Sequence, residues 1–311
     1  MSLRLLAGAV LTLCLILPTA HAEQPSAKTS HGIDRSEWNA PQKPFRIYGN
    51  TLYVGPYGLS SILLDTGHGL ALFDGDLPQS APVIEANLRA LGFHVRDIKW
   101  IFNSHAHADH AGGIAALQRD SGAQVLASAA GAHAMALGGA DRADPQHGDA
   151  PDYPSVRQVR VLRDGEVVQL GDVAITAHYT PGHTPGSTSW TWTSCADGRC
   201  LRMVYADSLT AISAPGFRFS DDPRRVAAFR QAIATVAALP CDILLTPHPD
   251  ASDFWQKVAR RRSDTDVAPL IDANACRAYA ATAAKTLDAK LAQEQAETRS
   301  RGDGKRERQG H

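Results

Sequence analysis

The stretch His105-Ala106-His107-Ala108-Asp109-His110 places four side chains that can bind metal within six residues. The apolar residues 100–103 before it predict a short buried strand. Gly112-Gly113 leads from it into residues 114–117, which predict a helix. The ligands therefore lie on a strand-to-helix turn. Because side chains alternate along an extended segment, His105 and His107 point the same way. Four ligands are more than one tetrahedral zinc with an open position needs, so this turn favours two adjacent metal ions.

Composition sets broad limits on the function of the chain. The 311 residues are 44% hydrophobic, enough for a sizeable core in one large domain or two small ones. The net charge of −1 gives no electrostatic argument for a nucleic-acid partner or for an acidic membrane surface. We therefore expect a soluble partner, such as a small molecule, and no nucleic acid.

The N-terminus has the pattern of a secretory signal peptide over residues 1–22. Arg4 supplies the positive charge, residues 5–17 are mostly apolar, and Ala20-His21-Ala22 fits a cleavage site with the cut after Ala22. An uncleaved membrane anchor is the alternative, but the apolar run is well short of the ~20 residues that span a bilayer. We expect a periplasmic protein with no membrane anchor after cleavage.

The cysteines that remain after signal cleavage are even in number, which suggests disulfides in an exported chain. Four cysteines allow three connectivities. We favour Cys195–Cys200, which would clip a short turn, and Cys241–Cys276, which would tie the start of a strand to the last helix. A cysteine metal site is disfavoured because no two of these residues lie at Cys-x-x-Cys spacing.

Hydrophobic periodicity predicts an α/β fold. Both halves of the chain run from strands to helices, which predicts a single domain over 45–292 with the layers helix, sheet, sheet, helix. Residues 23–44 are interpreted as a loose arm, 138–155 as a long functional loop, and the polar residues 293–311 as a disordered tail. The predicted strands are 45–48, 51–54, 60–65, 69–74, 99–103, 124–127, 159–162, 167–170, 173–179, 188–193 and 201–205, and the predicted helices are 82–91, 111–120, 129–137, 223–238 and 275–291.

Two further histidines directly follow predicted strands. His183 lies in Pro181-Gly182-His183-Thr184-Pro185-Gly186-Ser187, and His248 lies in Thr246-Pro247-His248-Pro249. A packed sheet would hold all three ligand segments rigidly at strand ends. A closed, non-catalytic zinc site is the alternative for the first turn, but it would leave His183 and His248 unused. The other histidines are expected to be non-ligands. His178, which ends a strand, stays open between a pocket wall and a hydrogen-bond partner of a ligand.

These motifs together resemble the metallo-β-lactamase superfamily. Its His-x-His-x-Asp-His signature is matched at residues 105–110, and its second and third ligand motifs are matched around His183 and His248. The stretch Tyr205-Ala206-Asp207-Ser208-Leu209-Thr210 and the Cys241/Cys276 pair resemble subclass B3 more narrowly. The resemblance covers residues 44–291. It implies a four-layer αβ/βα sandwich with two Zn²⁺ ions in a groove at the sheet edge.

The resemblance also implies a role for each site residue. It assigns His105, His107 and His183 to the first zinc, and Asp109, His110 and His248 to the second. Ser208 and Thr210 would bind the substrate, with Gln146, His147 and His178 as further candidates. Asp207 stays open between a metal ligand and an aspartate that hydrogen-bonds the turn.

The implied reaction is hydrolysis of the β-lactam amide bond of penicillins, cephalosporins and carbapenems, which would give antibiotic resistance. A metal-bound hydroxide, oriented by Asp109, would attack the carbonyl without a covalent acyl-enzyme. Ser104, beside the ligands, is expected to bond local backbone rather than to act as a nucleophile. We expect the protein to be a monomer.

Two alternatives remain. A thioesterase of the glyoxalase II type, or a lactonase, would use the same scaffold and the same nucleophile, although export argues against a glutathione thioester. A metal-binding scaffold without turnover is the other alternative, and the six filled ligand positions argue against it.

Overall fold

The computed structural model describes residues 37–309, with side chains described for residues 37–300. The predicted signal peptide, its cleavage site after Ala22 and most of the predicted arm therefore lie outside the described residues. In the described part, no helix combines the length and the apolar character needed to cross a membrane.

One sheet of the described chain has seven strands, which lie side by side in chain order. The first four are antiparallel neighbours, and from the fourth strand onward the neighbours are parallel. Their bounds are β1 (Phe45–Tyr48), β2 (Thr51–Tyr53), β3 (Ile62–Asp65), β4 (Leu70–Phe73), β5 (Ile98–Phe102), β6 (Gln124–Ala127) and β7 (Val159–Val161).

The second sheet has five strands in the described residues, in the order β12-β11-β10-β9-β8. Its neighbours are antiparallel except β11 and β12, which are parallel, with Tyr205 paired to Leu245. The carboxyl ends of β11 and β12 therefore meet at one edge of the sheet. The bounds are β8 (Val167–Leu170), β9 (Val173–Tyr179), β10 (Thr188–Ala196), β11 (Arg199–Tyr205) and β12 (Ile243–Leu245).

The helix ends follow the local sequence. Ser128 accepts a hydrogen bond from the Gly131 amide at the start of α4, and Asp222 accepts from two amides at the start of α5, which begins with a proline. The helices are α1 (Ala81–Ala90), α2 (Ala108–Ala111), α3 (Ile114–Ser121), α4 (Ala129–Ala136), α5 (Pro223–Ala238), α6 (Phe254–Ala259) and α7 (Ala275–Gln309), and short 3-10 helices lie at Val95–Asp97, Phe219–Asp221, Pro249–Ser252 and Ala268–Leu270.

The two sheets pack face to face through an aromatic core. Tyr53 and Phe73 from the first sheet lie with Trp190, Trp192 and Tyr205 from the second in one buried cluster. Alternate residues on these strands face inward, which is the pattern of stacked sheets. Burial of each large side chain stabilises the fold by about 1.5–3 kcal/mol.

Helices cover the outer faces of both sheets. Ile84 and Leu88 of α1 and Leu117 of α3 pack on the first sheet, whereas Phe229 of α5 and Leu287 of α7 belong to the cluster on the second. This arrangement confirms the predicted four-layer α/β sandwich.

Both favoured cysteine pairings are present as disulfides. Cys195 and Cys200 face each other across the β10–β11 hairpin. Cys241, just before β12, is bonded to Cys276 in the first turn of α7. These are the two pairings that the sequence favoured.

The last helix is longer than predicted. Residues 293–309 continue α7, so the prediction of a disordered tail is wrong for them. The buried carboxylate of Glu294 accepts hydrogen bonds from the amides of Phe219 and Ser220, and the Arg218 guanidinium donates to the Glu294 carbonyl and to Thr298. These long-range contacts attach the later part of α7 to the body of the protein. Among the residues with described side chains, the apolar contacts of this helix end at Leu291.

Candidate metal centre

Hydrogen bonds to a buried aspartate fix the turn after β5. Asp74 follows β4 and accepts hydrogen bonds from the amide and the hydroxyl of Ser104, at 2.7 and 2.5 Å, and from the Asn103 amide group. The Tyr205 hydroxyl donates to the same carboxylate from the second sheet. Ser104 therefore bonds a side chain rather than the local backbone expected from the sequence. Burial raises the pKa of Asp74 to about 6, although nearby His110 and these hydrogen bonds act in the opposite direction.

Glycines allow the metal-binding turn to lie close to the 74–78 segment. A Cβ at Gly113 would lie 2.2 Å from the Gly75 carbonyl oxygen, and one at Gly112 would lie 2.4 Å from Cδ of Pro78. The Gly75 amide donates to the His110 carbonyl across this contact. The pair Gly112-Gly113 is therefore required by the close approach of two backbones.

Three histidines form the first triad. One ring nitrogen of each of His105, His107 and His183 lies within 4.8 Å of the others, and the residues are 1%, 6% and 5% exposed. His105 and His107 come from the turn after β5, and His183 comes from the turn between β9 and β10. The two sheets thus contribute to one buried cluster.

Each ring of the first triad has an acceptor on its other nitrogen. His105 Nδ1 lies 2.8 Å from Asp207 Oδ1, and His107 Nε2 lies 2.9 Å from Asp144 Oδ2. His183 Nδ1 lies 2.9 Å from the Thr210 carbonyl oxygen. An acceptor at one nitrogen requires the proton there, so the lone pair of the other nitrogen is free for a metal.

The orientation of these rings fits a metal ligand set. His105 Nε2 is buried and has no hydrogen-bond partner among the described residues. A buried ring nitrogen without a partner is costly unless a ligand satisfies it. The first triad therefore fits a metal ion.

A carboxylate and two histidines form the second triad. Asp109 Oδ2 lies 3.4 Å from both His110 Nε2 and His248 Nε2, and these two nitrogens are 3.2 Å apart. Ligands at about 2.0–2.1 Å from a tetrahedral zinc are about 3.3–3.4 Å from one another. The three atoms thus have the spacing of one face of a zinc coordination tetrahedron.

The two triads are adjacent. His105 groups with Asp109 and His110 within the same 4.8 Å limit, and the ring centroids of His105 and His110 are 4.3 Å apart. The His248 side chain is 32% exposed, and the Trp38 ring lies against it with centroids 5.2 Å apart. The second triad is therefore the side of the cluster that opens to solvent.

Charges around the cluster favour a cation. Burial would raise the pKa of Asp109, but the charge of His110 and hydrogen bonds from His110 and His248 hold it well below its usual value. The pKa of His110 is raised to about 9 because Asp109, Asp74 and Asp76 outweigh the effect of burial. Burial and the neighbouring histidines lower the pKa of His183 to about 3 and also depress that of His105. The rings of His105 and His183 are therefore neutral and can offer lone pairs to a metal, and the ionised Asp109 supplies negative charge beside them.

Asp207, which the sequence left open, is fully buried against the first triad. Its Oδ1 meets His105 Nδ1, the nitrogen opposite the unpartnered Nε2. The Tyr279 hydroxyl of α7 donates to the Asp207 carbonyl and accepts from the Leu209 amide. This position fits an aspartate that orients a ligand.

The predicted substrate residues differ in exposure and in their contacts with the cluster. Thr210 is exposed, and its hydroxyl as well as its carbonyl lies near His183 Nδ1, whereas Ser208 is 6% exposed. Gln146 is buried and His147 is exposed, two and three residues after Asp144. His178 is not brought to the cluster by any contact in the described residues. Its Nε2 lies 2.8 Å from the Thr191 hydroxyl, on the outer face of the second sheet.

The sequence interpretation missed several residues that position the ligands. They are Asp74 below the turn, Asp144 beside His107, and Tyr153, whose hydroxyl donates to the Ala106 carbonyl at 2.8 Å. Burial raises the pKa of Asp144, but the hydrogen bond and charge of His107 and the hydrogen bond from the Gln146 amide together leave it lowered overall. Each of these residues lies at least 29 positions from its partner in the sequence, so only the folded chain brings the two together.

One family model and several curated proteins match this chain in sequence. Residues 54–195 match the family model described as the metallo-β-lactamase superfamily. Among curated proteins, the chain is 34% identical over 183 residues to a hydroxyacylglutathione hydrolase of Anaeromyxobacter dehalogenans, covering 58% of this chain and 55% of that protein. A probable metallo-hydrolase of Burkholderia pseudomallei is 31% identical over 165 residues, covering 49% and 54%. The chain spans about half the length of these curated relatives.

The chain covers a larger share of the solved structures that it matches than of these curated relatives. MEM-A1, a subclass B3 metallo-β-lactamase from a soil metagenome library, is 49% identical and has a TM-score of 0.81, covering 84% of this chain and 99% of that one. The metallo-β-lactamase MIM-1 from Novosphingobium pentaromativorans is 44% identical with a TM-score of 0.80, covering 85% and 95%. SMB-1, solved with 2-mercaptoethanesulfonate, is 46% identical with a TM-score of 0.80, covering 83% and 99%.

Proposed function

The chain belongs to the metallo-β-lactamase superfamily, and from this premise we propose that it hydrolyses the amide bond of β-lactams with two zinc ions. The proposed substrates are penicillins, cephalosporins and carbapenems, and the proposed consequence is antibiotic resistance. The observation that carries the proposal is the convergence of six candidate ligands in two adjacent triads, each with metal-ligand spacing.

We assign the first zinc to His105, His107 and His183, and the second to Asp109, His110 and His248. Imidazole nitrogen with carboxylate oxygen is a ligand set that zinc prefers. Three protein ligands for each ion leave positions for water and substrate, as in catalytic rather than structural zinc sites.

Bound zinc ions lower the pKa of a water molecule to about 7 and polarise a carbonyl oxygen. Asp109 stays ionised because the pKa of its carboxyl group is held low, so the carboxylate can accept a hydrogen bond from the attacking water and orient it. Ser104 donates to the buried Asp74 and is not available as a nucleophile, which agrees with direct attack by water.

The hydroxyls of Ser208 and Thr210 are proposed to bind the substrate carboxylate. Each hydrogen bond to a charged group contributes about 1.5–3 kcal/mol. Gln146 and His147 would border the groove from the 138–155 loop. His178 has weaker support, because its ring bonds Thr191 instead.

Two observations favour a lactam over a glutathione thioester. Similarity to MEM-A1 covers 99% of that chain, whereas similarity to the hydroxyacylglutathione hydrolase covers 55% of that protein at lower identity. Asp207 also bonds the far nitrogen of His105 through Oδ1, which favours a role in orienting that ring over the role of a bridging ligand.

We further propose that the protein works in the periplasm as a monomer without a nucleic-acid partner. The signal-like residues 1–22 and the two disulfides support export, because disulfides persist in oxidising compartments.

A comparison of three substrates tests the function. The purified protein is mixed with a chromogenic cephalosporin, a carbapenem and S-lactoylglutathione, each with and without a chelator. We expect lactam hydrolysis that chelation abolishes and added zinc restores. Turnover of the thioester alone would favour the glyoxalase II alternative, and no turnover of any substrate by zinc-loaded protein would contradict an enzymatic role.

A further inference from the structure

The 138–155 loop is ordered by its own hydrogen bonds although it contains no strand or helix. The Tyr153 amide donates to the Gly138 carbonyl, which closes the base of the loop. Gly138 has a φ of +63°, and a Cβ there would lie 2.4 Å from the Tyr153 carbonyl oxygen. This left-handed, close-packed position requires glycine. The loop is therefore a defined structure rather than a flexible connection.

Two side chains of the loop contact the turn after β5, which carries His105 and His107 of the first triad. Asp144 Oδ2 lies 2.9 Å from His107 Nε2, and the Tyr153 hydroxyl donates to the Ala106 carbonyl between the two ligands. Both loop residues are buried, with Asp144 5% exposed and Tyr153 7% exposed. Because these contacts are shielded from water, loss of one partner would leave a buried polar group unpaired, which is costly.

Asp144 also organises the loop itself. Its second oxygen accepts from the Gln146 amide at 2.7 Å, so one carboxylate joins the loop backbone to a ring of the first triad. The neighbouring Pro145 carbonyl accepts from the Ala214 amide, four residues after Thr210, whose carbonyl holds His183. Two of the three rings are thus connected to this loop.

We propose that Asp144 is a positioning residue that makes the 138–155 loop and the first triad one cooperative unit. By holding the proton on His107 Nε2, the carboxylate directs the Nδ1 lone pair at the metal. Metal binding then stabilises the loop, and the ordered loop increases metal affinity by the same factor. A substrate that contacts Gln146 or His147 thereby acts on the metal site as well as on the groove.

The inference rests on the metal site of the proposed function but not on its substrate. Zinc alone is the probe, so a protein that failed to hydrolyse lactams would still test it. The His248→Ala variant disables the second triad, and Asp144→Ala is introduced into this background. Asp141→Asn is the matched control, because Asp141 is a buried aspartate of the same loop that accepts from the Ala143 amide and contacts no histidine of the triads.

Competition with a chromophoric chelator measures zinc affinity in the His248→Ala parent and in the Asp144→Ala and Asp141→Asn proteins built on it. We expect Asp144→Ala to weaken zinc binding about 10–100-fold and the Asp141→Asn control to stay within about twofold. Equal affinity in the Asp144→Ala protein and its parent would overturn the proposal.

Hydrogen exchange of the wild-type protein gives a second measurement that needs no variant. Zinc should slow exchange of the Ala150 and Tyr153 amides, which bond within the loop and contact no ligand directly. In Asp144→Ala, zinc should no longer slow them. Wild-type exchange rates that do not change with zinc would show that loop and metal are independent and would overturn the proposal.

Discussion

At the scale of the residue, the metal geometry depends on partners as much as on ligands. The rings of His105, His107 and His183 are each fixed by an acceptor, from Asp207, Asp144 and the Thr210 carbonyl respectively. An imidazole held at one nitrogen presents the other in a set direction. These three rings therefore need no large rearrangement to receive a metal ion.

Loss of a ligand from either triad should remove most of the activity. We expect His183→Ala and Asp109→Asn each to lower kcat/KM for a β-lactam by about 100-fold or more, because both disturb the attacking water. His133→Ala, an exposed histidine on α4, is the control and should keep the wild-type rate. Steady-state kinetics at saturating zinc measures the difference, and near-wild-type rates in either ligand variant would count against the site.

A surface ion pair should make a pH-dependent contribution to stability. Hydrogen bonds from the Arg202 side chain and amide lower the pKa of Asp242 to about 2 despite some burial. A lowered pKa stabilises the folded state above the unfolded value of 3.8, and this gain is lost as the pH falls towards 2. Exposed pairs contribute about 0.2–1 kcal/mol.

The Asp242→Asn variant tests this contribution. In chelated protein, where metal loss cannot interfere, its Tm should lie about 2 °C below wild type at pH 7. The gap should shrink between pH 4 and pH 2. A gap that widened on acidification would contradict the assigned pKa.

The six candidate ligands could be identified from the sequence because they lie in short local motifs. His105, His107, Asp109 and His110 are contiguous, and His183 and His248 sit in turn sequences after strands. Among the residues that orient them, Asp207 was left open between two roles, and Asp144 and Tyr279 could not be identified. Asp144 lies 37 residues from His107, and Tyr279 lies 72 residues from Asp207, so only the folded chain pairs them.

At the scale of the element, strand ends bring the ligand segments together. The register of β11 and β12 pairs Tyr205 with Leu245, so Asp207 and His248 follow neighbouring parallel strands at one edge. The hydrophobic pattern of residues 201–205 predicted β11, and the apolar residues before Thr246 indicated the strand that His248 follows. The extension of α7 was not predictable, because it depends on Glu294 bonding amides about 75 residues away.

The disulfide that closes the longer loop should stabilise the fold more, although the gain rises only with the logarithm of loop length. Cys241–Cys276 closes 35 residues and Cys195–Cys200 closes 5, which correspond to about 4 and about 2 kcal/mol in the chain-entropy model. Paired Cys→Ala variants compared by urea unfolding should follow this order. A larger loss from the hairpin pair would contradict it.

Thiol titration checks the oxidation state separately. The mature protein should have no free thiol under denaturing, non-reducing conditions, and two or four free thiols would refute the assigned pairs.

At the scale of the whole molecule, the candidate metal ligands come from both sheets. The first sheet supplies the turn after β5, and the second supplies His183 and His248. Metal ions bound across this junction should therefore stabilise the folded state by mass action, by about 4 kcal/mol for a site at 1,000 times its Kd.

Chelation should accordingly lower the Tm by about 10 °C, as measured by calorimetry, and added zinc should restore it. Unchanged melting after complete metal removal would mean that the two sheets are not joined through metal.

Metal content of the purified, folded protein tests the account most directly. Elemental analysis after removal of free metal should find two zinc ions per chain. His248→Ala and His183→Ala should each lower the count towards one, whereas the exposed-site control His133→Ala should keep two. Less than one equivalent in the wild-type protein would contradict the paired metal centre from which the proposed chemistry follows.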